Sequence, residues 1–130
     1  MYGRDGHILV VEDDPDLLSL EAEILSGAGY SVDVAHDGLE ALEMAAAHLP
    51  ALVLLDMRMP RMDGWQFAKA FRERHGAGCP IVVVTAAENA RRRAEEVGAS
   101  GFLEKPFDID EVLREVERHL GSPPASSPAP

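Results

Sequence analysis

The chain has 130 residues and a formal net charge of −11, from 23 acidic against 12 basic side chains. That balance argues against nucleic acid or an anionic membrane as a direct partner, since both are held through clustered Lys and Arg, and the length fits one domain that can bury a core without disulfides or structural metals. Cys79 is the single cysteine, so no internal disulfide is possible; a small buried or half-buried thiol in a reducing compartment is the simplest expectation.

Two kinds of segment alternate along the chain. His7–Val11, aliphatic from Ile8 onward, reads as a strand covered on both faces. It meets acids after four residues, too soon for a secretory apolar region, and no apolar run approaches the roughly 20 residues of a membrane span. Asp14 is expected as a helix cap, with Pro15 at the first helical position. Asp16–Ala28 follows as a helix with Leu17, Leu20, Ile24 and Ala28 on one stripe, stopped by Gly27-Ala28-Gly29. Ser31–Ala35 is a short strand. A helix with Leu39, Leu42, Ala46 and Leu49 on one face comes next and ends at Pro50. Ala51–Leu55 is the third strand. Asp63 and Gln66 form a capping box for a helix with Phe67, Ala68 and Phe71 on its apolar stripe; Trp65, which opens that helix, is expected to pack at the core or its rim. Pro80–Val84 is a Val-rich strand, Glu88–Val97 a polar helix closed by Gly98, and Gly101–Leu103 the fifth strand. Asp108 and Glu111 then cap a helix striped by Ile109, Val112, Leu113, Val116 and Leu120. Five strands and five helices in strict alternation predict an α/β sheet with parallel strands and right-handed crossovers.

Polar residues stand at the strand ends: Glu12-Asp13, Asp56, Thr85 and Lys105. Parallel strands bring such ends to one edge, where α/β sheets bind ligands. Three acids would repel one another there without a cation, and oxygen donors with room for water suit Mg²⁺. A hydroxyl and an ammonium add donors for phosphoryl oxygens. Taken singly, Asp56 also reads as a helix cap, Thr85 as a turn residue and Lys105 as a solvated charge. His7, His36, His48, His75 and His119 show no ligand spacing and are expected at the surface. Arg91-Arg92-Arg93 with Glu95-Glu96 reads as a solvated helix face, with a partner contact as the alternative.

Four strings carry a family resemblance: Ile8-Leu9-Val10-Val11-Glu12-Asp13-Asp14-Pro15, Asp56-Met57-Arg58-Met59-Pro60-Arg61-Met62-Asp63-Gly64, Val84-Thr85-Ala86, and Gly101-Phe102-Leu103-Glu104-Lys105-Pro106-Phe107. Together they resemble the receiver domain of two-component response regulators. The resemblance implies a doubly wound five-stranded parallel sheet of order 2-1-3-4-5, flavodoxin-like (βα)5, over residues 1–120, with residues 121–130 a disordered tail or the start of an interdomain linker. It implies a signalling phosphoacceptor that catalyses only its own phosphoryl transfer and dephosphorylation. Asp56 would accept the phosphoryl group; Glu12, Asp13, Asp56 and the Arg58 backbone carbonyl would hold Mg²⁺ or Mn²⁺; Thr85 and Lys105 would contact phosphate. Thr85 and Phe102 would form the switch, and Lys105-Pro106 would be a cis peptide bond. The implied partners are a sensor histidine kinase or histidine phosphotransfer protein, and an output domain or homodimer engaged through helix 4, strand 5 and helix 5, in a bacterial cytoplasm. Arg58 and Ala87 bear on phosphoryl lifetime in opposite directions. Competing readings are a receiver-like interaction module that is not phosphorylated, a flavodoxin-like cofactor module and an aspartate-nucleophile phosphatase. The last two lack, respectively, a Ser/Thr/Gly-rich loop after strand 1 and an acid two residues beyond Asp56.

Overall fold

The first strand enters the middle of the sheet rather than an edge, and the rest of the architecture follows from that. A computed structural model describes residues 7–86 and 89–121. In chain order the elements are β1 (Ile8–Val11), α1 (Pro15–Gly27), β2 (Val32–Ala35), α2 (Gly38–Ala47), β3 (Leu52–Asp56), α3 (Gly64–His75), β4 (Ile81–Ala86), α4 (Ala90–Val97), β5 (Gly101–Lys105) and α5 (Ile109–Leu120). All pairings are parallel, in the order β2-β1-β3-β4-β5. The chain runs out to β2, then crosses back over β1 to reach β3. The crevice at the carboxyl ends of β1 and β3 is therefore the switch point.

Side chains alternate across a strand with a period of two, so each strand serves both faces. Leu9, Val11, Val53, Leu55, Ile81 and Val83 join residues of α2, α3 and α4 in one apolar cluster. Ile8, Val10, Leu52, Leu54, Val82 and Val84 join residues of α1 and α5 in the other. In β1, β3 and β4, with both faces covered, no position short of the carboxyl end is free to be polar, which explains their unbroken aliphatic runs; the edge strand β2 carries Asp33. Phe67 and Phe71, both fully buried, stack with ring centroids 5.4 Å apart. Burial of each such ring contributes roughly 1.5–3 kcal/mol.

The caps agree with the sequence. The Asp14 carboxylate accepts from the Asp16 and Leu17 N–H groups, with Pro15 opening α1. Asp63–Gln66 and Asp108–Glu111 are reciprocal capping boxes. Each satisfies N–H groups that a helix start leaves orphaned and contributes about 1 kcal/mol. The Lys105-Pro106 bond is cis. Cys79 is buried, and Trp65 packs against the α2–α3–α4 cluster.

Several helix faces differ from the expected ones. In α1 the buried residues are Leu18, Glu21 and Leu25, while Leu20 is 46% exposed. The apolar stripe is interrupted by a carboxylate, so a search for apolar residues alone settles on a face turned from the true one. In α2, Ala41, Leu42 and Ala45 are buried while Leu39 and Ala46 are exposed, because small residues face the sheet there. In α5, Val112 and Val116 are buried, but Ile109 at the first position is 56% exposed. The expected solvated arginine face is partly engaged: Arg91 lies over the Phe102 ring and Arg93 over Trp65. His7 is buried at 2% exposure, contrary to the surface role expected of it. Ala87, Glu88 and the expected tail from residue 122 lie outside the described residues. Among the described residues, no helix is long and apolar enough to cross a membrane.

Candidate functional site

Glu12, Asp56 and Lys105 share one side of the sheet because of strand parity. Glu12 follows Val11 and continues the parity of Ile8 and Val10; Asp56 continues that of Leu52 and Leu54; Lys105 continues that of Leu103. All three therefore project toward α1 and α5 at the carboxyl edge. Asp13, on the β1–α1 turn, is exposed and completes a cluster in which one carboxylate oxygen from each of Glu12, Asp13 and Asp56 lies within 4.8 Å of the others. Glu12 and Asp56 are 1% and 5% exposed, so two of the three acids are withdrawn from bulk water.

Lys105 bridges the buried pair. Its Nζ lies 3.2 Å from Glu12 Oε1 and 3.5 Å from Asp56 Oδ1. The Glu12 contact brings charges together without the alignment of a hydrogen bond, so Glu12 Oε1 remains a buried acceptor with no hydrogen-bond donor among the described residues. The Arg58 N–H donates to Asp56 Oδ1 at 3.4 Å, and the Asp14 N–H to Glu12 Oε2 at 3.2 Å. Burial pushes the Asp56 carboxyl up to about 7; Glu12 adds to the rise, while Lys105 and the Arg58 N–H oppose it. Burial lowers the proton affinity of Lys105, but Asp56 and Glu12 outweigh it, so its pKa lies above the ordinary value.

An all-oxygen donor set, a buried Glu12 oxygen that accepts no hydrogen bond among the described residues, and an Asp56 carboxyl whose proton affinity is raised by burial and then by Glu12 fit a hard divalent cation such as Mg²⁺. One lysine cannot neutralise three acids. Arg58 belongs to the same crevice, lined by Asp13, Met57, Arg58, Met59, Asp63 and Trp65.

Thr85 and Phe102 fall on the other face. In the β3–β4 register Asp56 lies opposite Val84; in the β4–β5 register Thr85 lies opposite Glu104 and Phe102 opposite Val83. Thr85 and Phe102 share the parity of Val83, toward α3 and α4. Thr85 is buried at 6% exposure, and Phe102 is partly buried beneath the Arg91 guanidinium, which lies 5.5 Å from the ring centroid. The β3–α3 loop that follows Asp56 is tied down at Arg61, which donates to the buried Asp37 carboxylate, and at the Gly38 N–H, which donates to Met62 O. That Arg61 hydrogen bond, with the Glu40 N–H, holds the Asp37 carboxyl below the ordinary range.

The sequence reading missed Glu21. It projects from α1 beneath this pocket, is 2% exposed, and its Oε2 has no hydrogen-bond partner among the described residues. Burial raises its pKa to about 8; Glu12 adds to the rise, Lys105 opposes it and Asp56 adds again. The available signal was its spacing: Glu21 stands three residues after Leu18 and four before Leu25.

Comparison with known proteins adds an independent line. A family model described as the response regulator receiver domain matches residues 8–117. Response regulator MprA of Mycobacterium avium (strain 104) is 42% identical over 108 residues, which are 82% of this chain and 47% of that protein. Response regulator MprA of Mycobacterium tuberculosis (strain ATCC 25618 / H37Rv) is also 42% identical over 108 residues, 46% of its own length. The chain thus spans about half the length of the curated relatives it matches. Among solved structures, chemotaxis protein CheY4 of Vibrio cholerae superposes with a TM-score of 0.81 at 33% identity, covering 88% of this chain and 98% of that one. The receiver domain of NtrX from Brucella abortus gives a TM-score of 0.81 at 34% identity, covering 87% of this chain and 97% of that one.

Proposed function

This chain belongs to the response regulator receiver family, and from that premise we propose that it is a Mg²⁺-dependent phosphoacceptor switch whose acceptor is Asp56. The observation that carries the reading is the pocket itself: carboxylate oxygens of Glu12, Asp13 and Asp56 within 4.8 Å, two of the acids bridged by Lys105. Glu12, Asp13, Asp56 and the Arg58 carbonyl would hold the cation, which when bound offsets the negative charge that gathers as a phosphoryl group approaches.

The remaining work falls to side chains. An Asp56 oxygen attacks phosphorus on the phosphohistidine of a sensor kinase or histidine phosphotransfer protein. The new P–O bond forms as the P–N bond breaks, and the freed imidazole leaves with its electron pair. Asp56 must be ionised to attack, and the Lys105 ammonium favours that form. Lys105 and the Thr85 hydroxyl then donate to the phosphoryl oxygens. Hydrolysis of the acyl phosphate returns the domain to its starting state.

The product adds roughly 1.5–2 negative charges at the end of β3. Thr85 and Phe102 share the face toward α3 and α4, so a Thr85 hydroxyl drawn toward the phosphoryl group vacates space that the Phe102 ring can enter. Inward rotation removes Phe102 from Arg91 and changes the surface of α4, β5 and α5. That shift favours one of two existing states, provided the partner binds one better than the other. The relatives are about twice the length of the matched region, which supports control of an output domain; a homodimer through the same surface is the other arrangement.

Acetyl phosphate with Mg²⁺, read by intact mass, tests the proposal. One phosphoryl adduct is expected, absent with chelator and absent in Asp56→Ala. An adduct retained in Asp56→Ala would refute the assignment of the acceptor.

A further inference from the structure

A second cluster of ligand atoms sits at the opposite end of the sheet, and the phosphoacceptor reading makes no use of it. His7 immediately precedes β1, Asp33 lies within β2, and His48 caps the carboxyl end of α2. His7 has the parity of Leu9 and Val11, which face α2, so its ring points beneath the end of that helix. Glu12 stands five residues after His7. At about 3.3 Å per strand residue the two sites are roughly 16 Å apart.

The His7 Nε2 lies 2.6 Å from Asp33 Oδ2. The His48 ring stacks on His7 with centroids 3.9 Å apart at 17°, and its Nδ1 lies 4.0 Å from the same Asp33 oxygen. That second distance is too long for a hydrogen bond. The stacking therefore holds a second imidazole nitrogen beside a carboxylate oxygen to which it does not bond. One ligand atom from each of the three residues lies within 4.8 Å of the others. The His7 side chain is 3% exposed, against 36% for Asp33 and 61% for His48, so one donor is anchored and a mouth stays open to solvent. The other His7 nitrogen, Nδ1, is buried with no partner among the described residues. The ionic contacts of Asp33 among the described residues are with these two histidines.

We propose that His7, Asp33 and His48 form a second metal site, for a borderline divalent transition ion of the Zn²⁺ type, on the amino-terminal edge of the sheet. Two imidazoles and one carboxylate are the donors that Zn²⁺, Co²⁺, Ni²⁺ or Cu²⁺ take, whereas Mg²⁺ prefers oxygen. A tetrahedral ion with ligands at about 2.0–2.1 Å spaces its donors roughly 3.3 Å apart. The observed separations of 2.6 and 4.0 Å stand on either side of that value. Closing the triangle requires the exposed His48 ring to rotate off the His7 stack, and the fourth position is left to water. A bound ion would join β1, β2 and α2, stabilising the fold by mass action. Metal binding at this edge does not require phosphorylation at Asp56.

The test uses the full chain without an affinity tag, with millimolar Mg²⁺ present to occupy the acidic pocket. Zn²⁺ is titrated calorimetrically, Co²⁺ by its visible absorption, and the thermal midpoint is followed with and without Zn²⁺. The expected result is one saturable equivalent and a raised midpoint. Both would be lost or weakened at least about tenfold in His48→Ala and in Asp33→Asn, and retained in Asp13→Asn. His48 is exposed, so His48→Ala keeps the fold and isolates the ligand. Absence of saturable binding, binding undiminished in His48→Ala, or binding lost in Asp13→Asn would each overturn the proposal.

Discussion

Glu21→Gln is expected to remove most of a pH dependence that the wild-type fold carries. Glu21 is buried in α1 with one oxygen unpartnered, and its pKa rises from the ordinary 4.5 to about 8. Below about pH 4.5 the group is protonated in folded and unfolded chains alike and has no effect on the balance. Above that value the unfolded chain releases the proton more readily. Stability then falls with rising pH until the folded-state group also ionises near pH 8. At about 1.4 kcal/mol for each tenfold difference in proton affinity, the whole interval corresponds to at most about 5 kcal/mol. The portion between about pH 6 and pH 8, where the folded-state group is half ionised at the upper end, comes to about 2 kcal/mol. Asp56, raised to about 7 by burial and Glu12, adds a slope of the same sign at lower pH; it remains in the variant and largely cancels in the difference. The assay is urea unfolding of wild type and Glu21→Gln in chelator at several values across that interval. The amide carries its own desolvation cost, which shifts the variant by a constant. The readout is therefore the change in the difference, about 2 kcal/mol in favour of the variant as pH rises. Parallel stability curves for the two proteins would refute the reasoning.

Two further outcomes follow from the pocket's construction. Lys105→Met leaves Glu12 and Asp56 buried together without the cation that bridges them at 3.2 and 3.5 Å. The Asp56 pKa should climb further, and the rate of adduct formation from acetyl phosphate should fall about a hundredfold or more, as when a phosphoryl-stabilising donor is lost; an unchanged rate would exclude a role for Lys105. Gly64→Ala would set a Cβ 2.6 Å from Met57 Sδ, 2.7 Å from Met57 Cα and 2.9 Å from the Asp56 carbonyl oxygen. Backbone cannot yield as a flexible side chain can, so a loss of about 1–3 kcal/mol in urea unfolding is expected, together with slower phosphorylation. Wild-type stability would show that this contact relaxes freely.

Much of the fold was legible because its causes are local. Short, Val- and Ile-rich aliphatic runs of four to five residues suit strands covered on both faces better than helices, and their alternation with helical segments leaves few options beyond a parallel sheet. The caps at Asp14, Asp63 and Asp108 are legible for the same reason, since donor and acceptor lie within three residues. Glu12, Asp13, Asp56, Thr85 and Lys105 stand at strand ends, and in parallel strands position along the chain already implies a shared edge.

The rest depended on which faces meet. Sequence could not show that Glu21 turns inward, because a carboxylate on a helix is ordinarily solvated; only the packing of α1 against β1, β2 and α5 withdraws it from water and sets it against Glu12 and Asp56. Nor could it show that His7, Asp33 and His48 converge, since they are separated along the chain and come together only when β2 pairs with β1 and α2 ends above them. The chain by itself determined the sheet, the caps and the acidic edge, where short-range physics suffices. The tertiary structure alone decided which ionisable groups share a low-dielectric space, because burial and long-range proximity arise only once separate elements have packed.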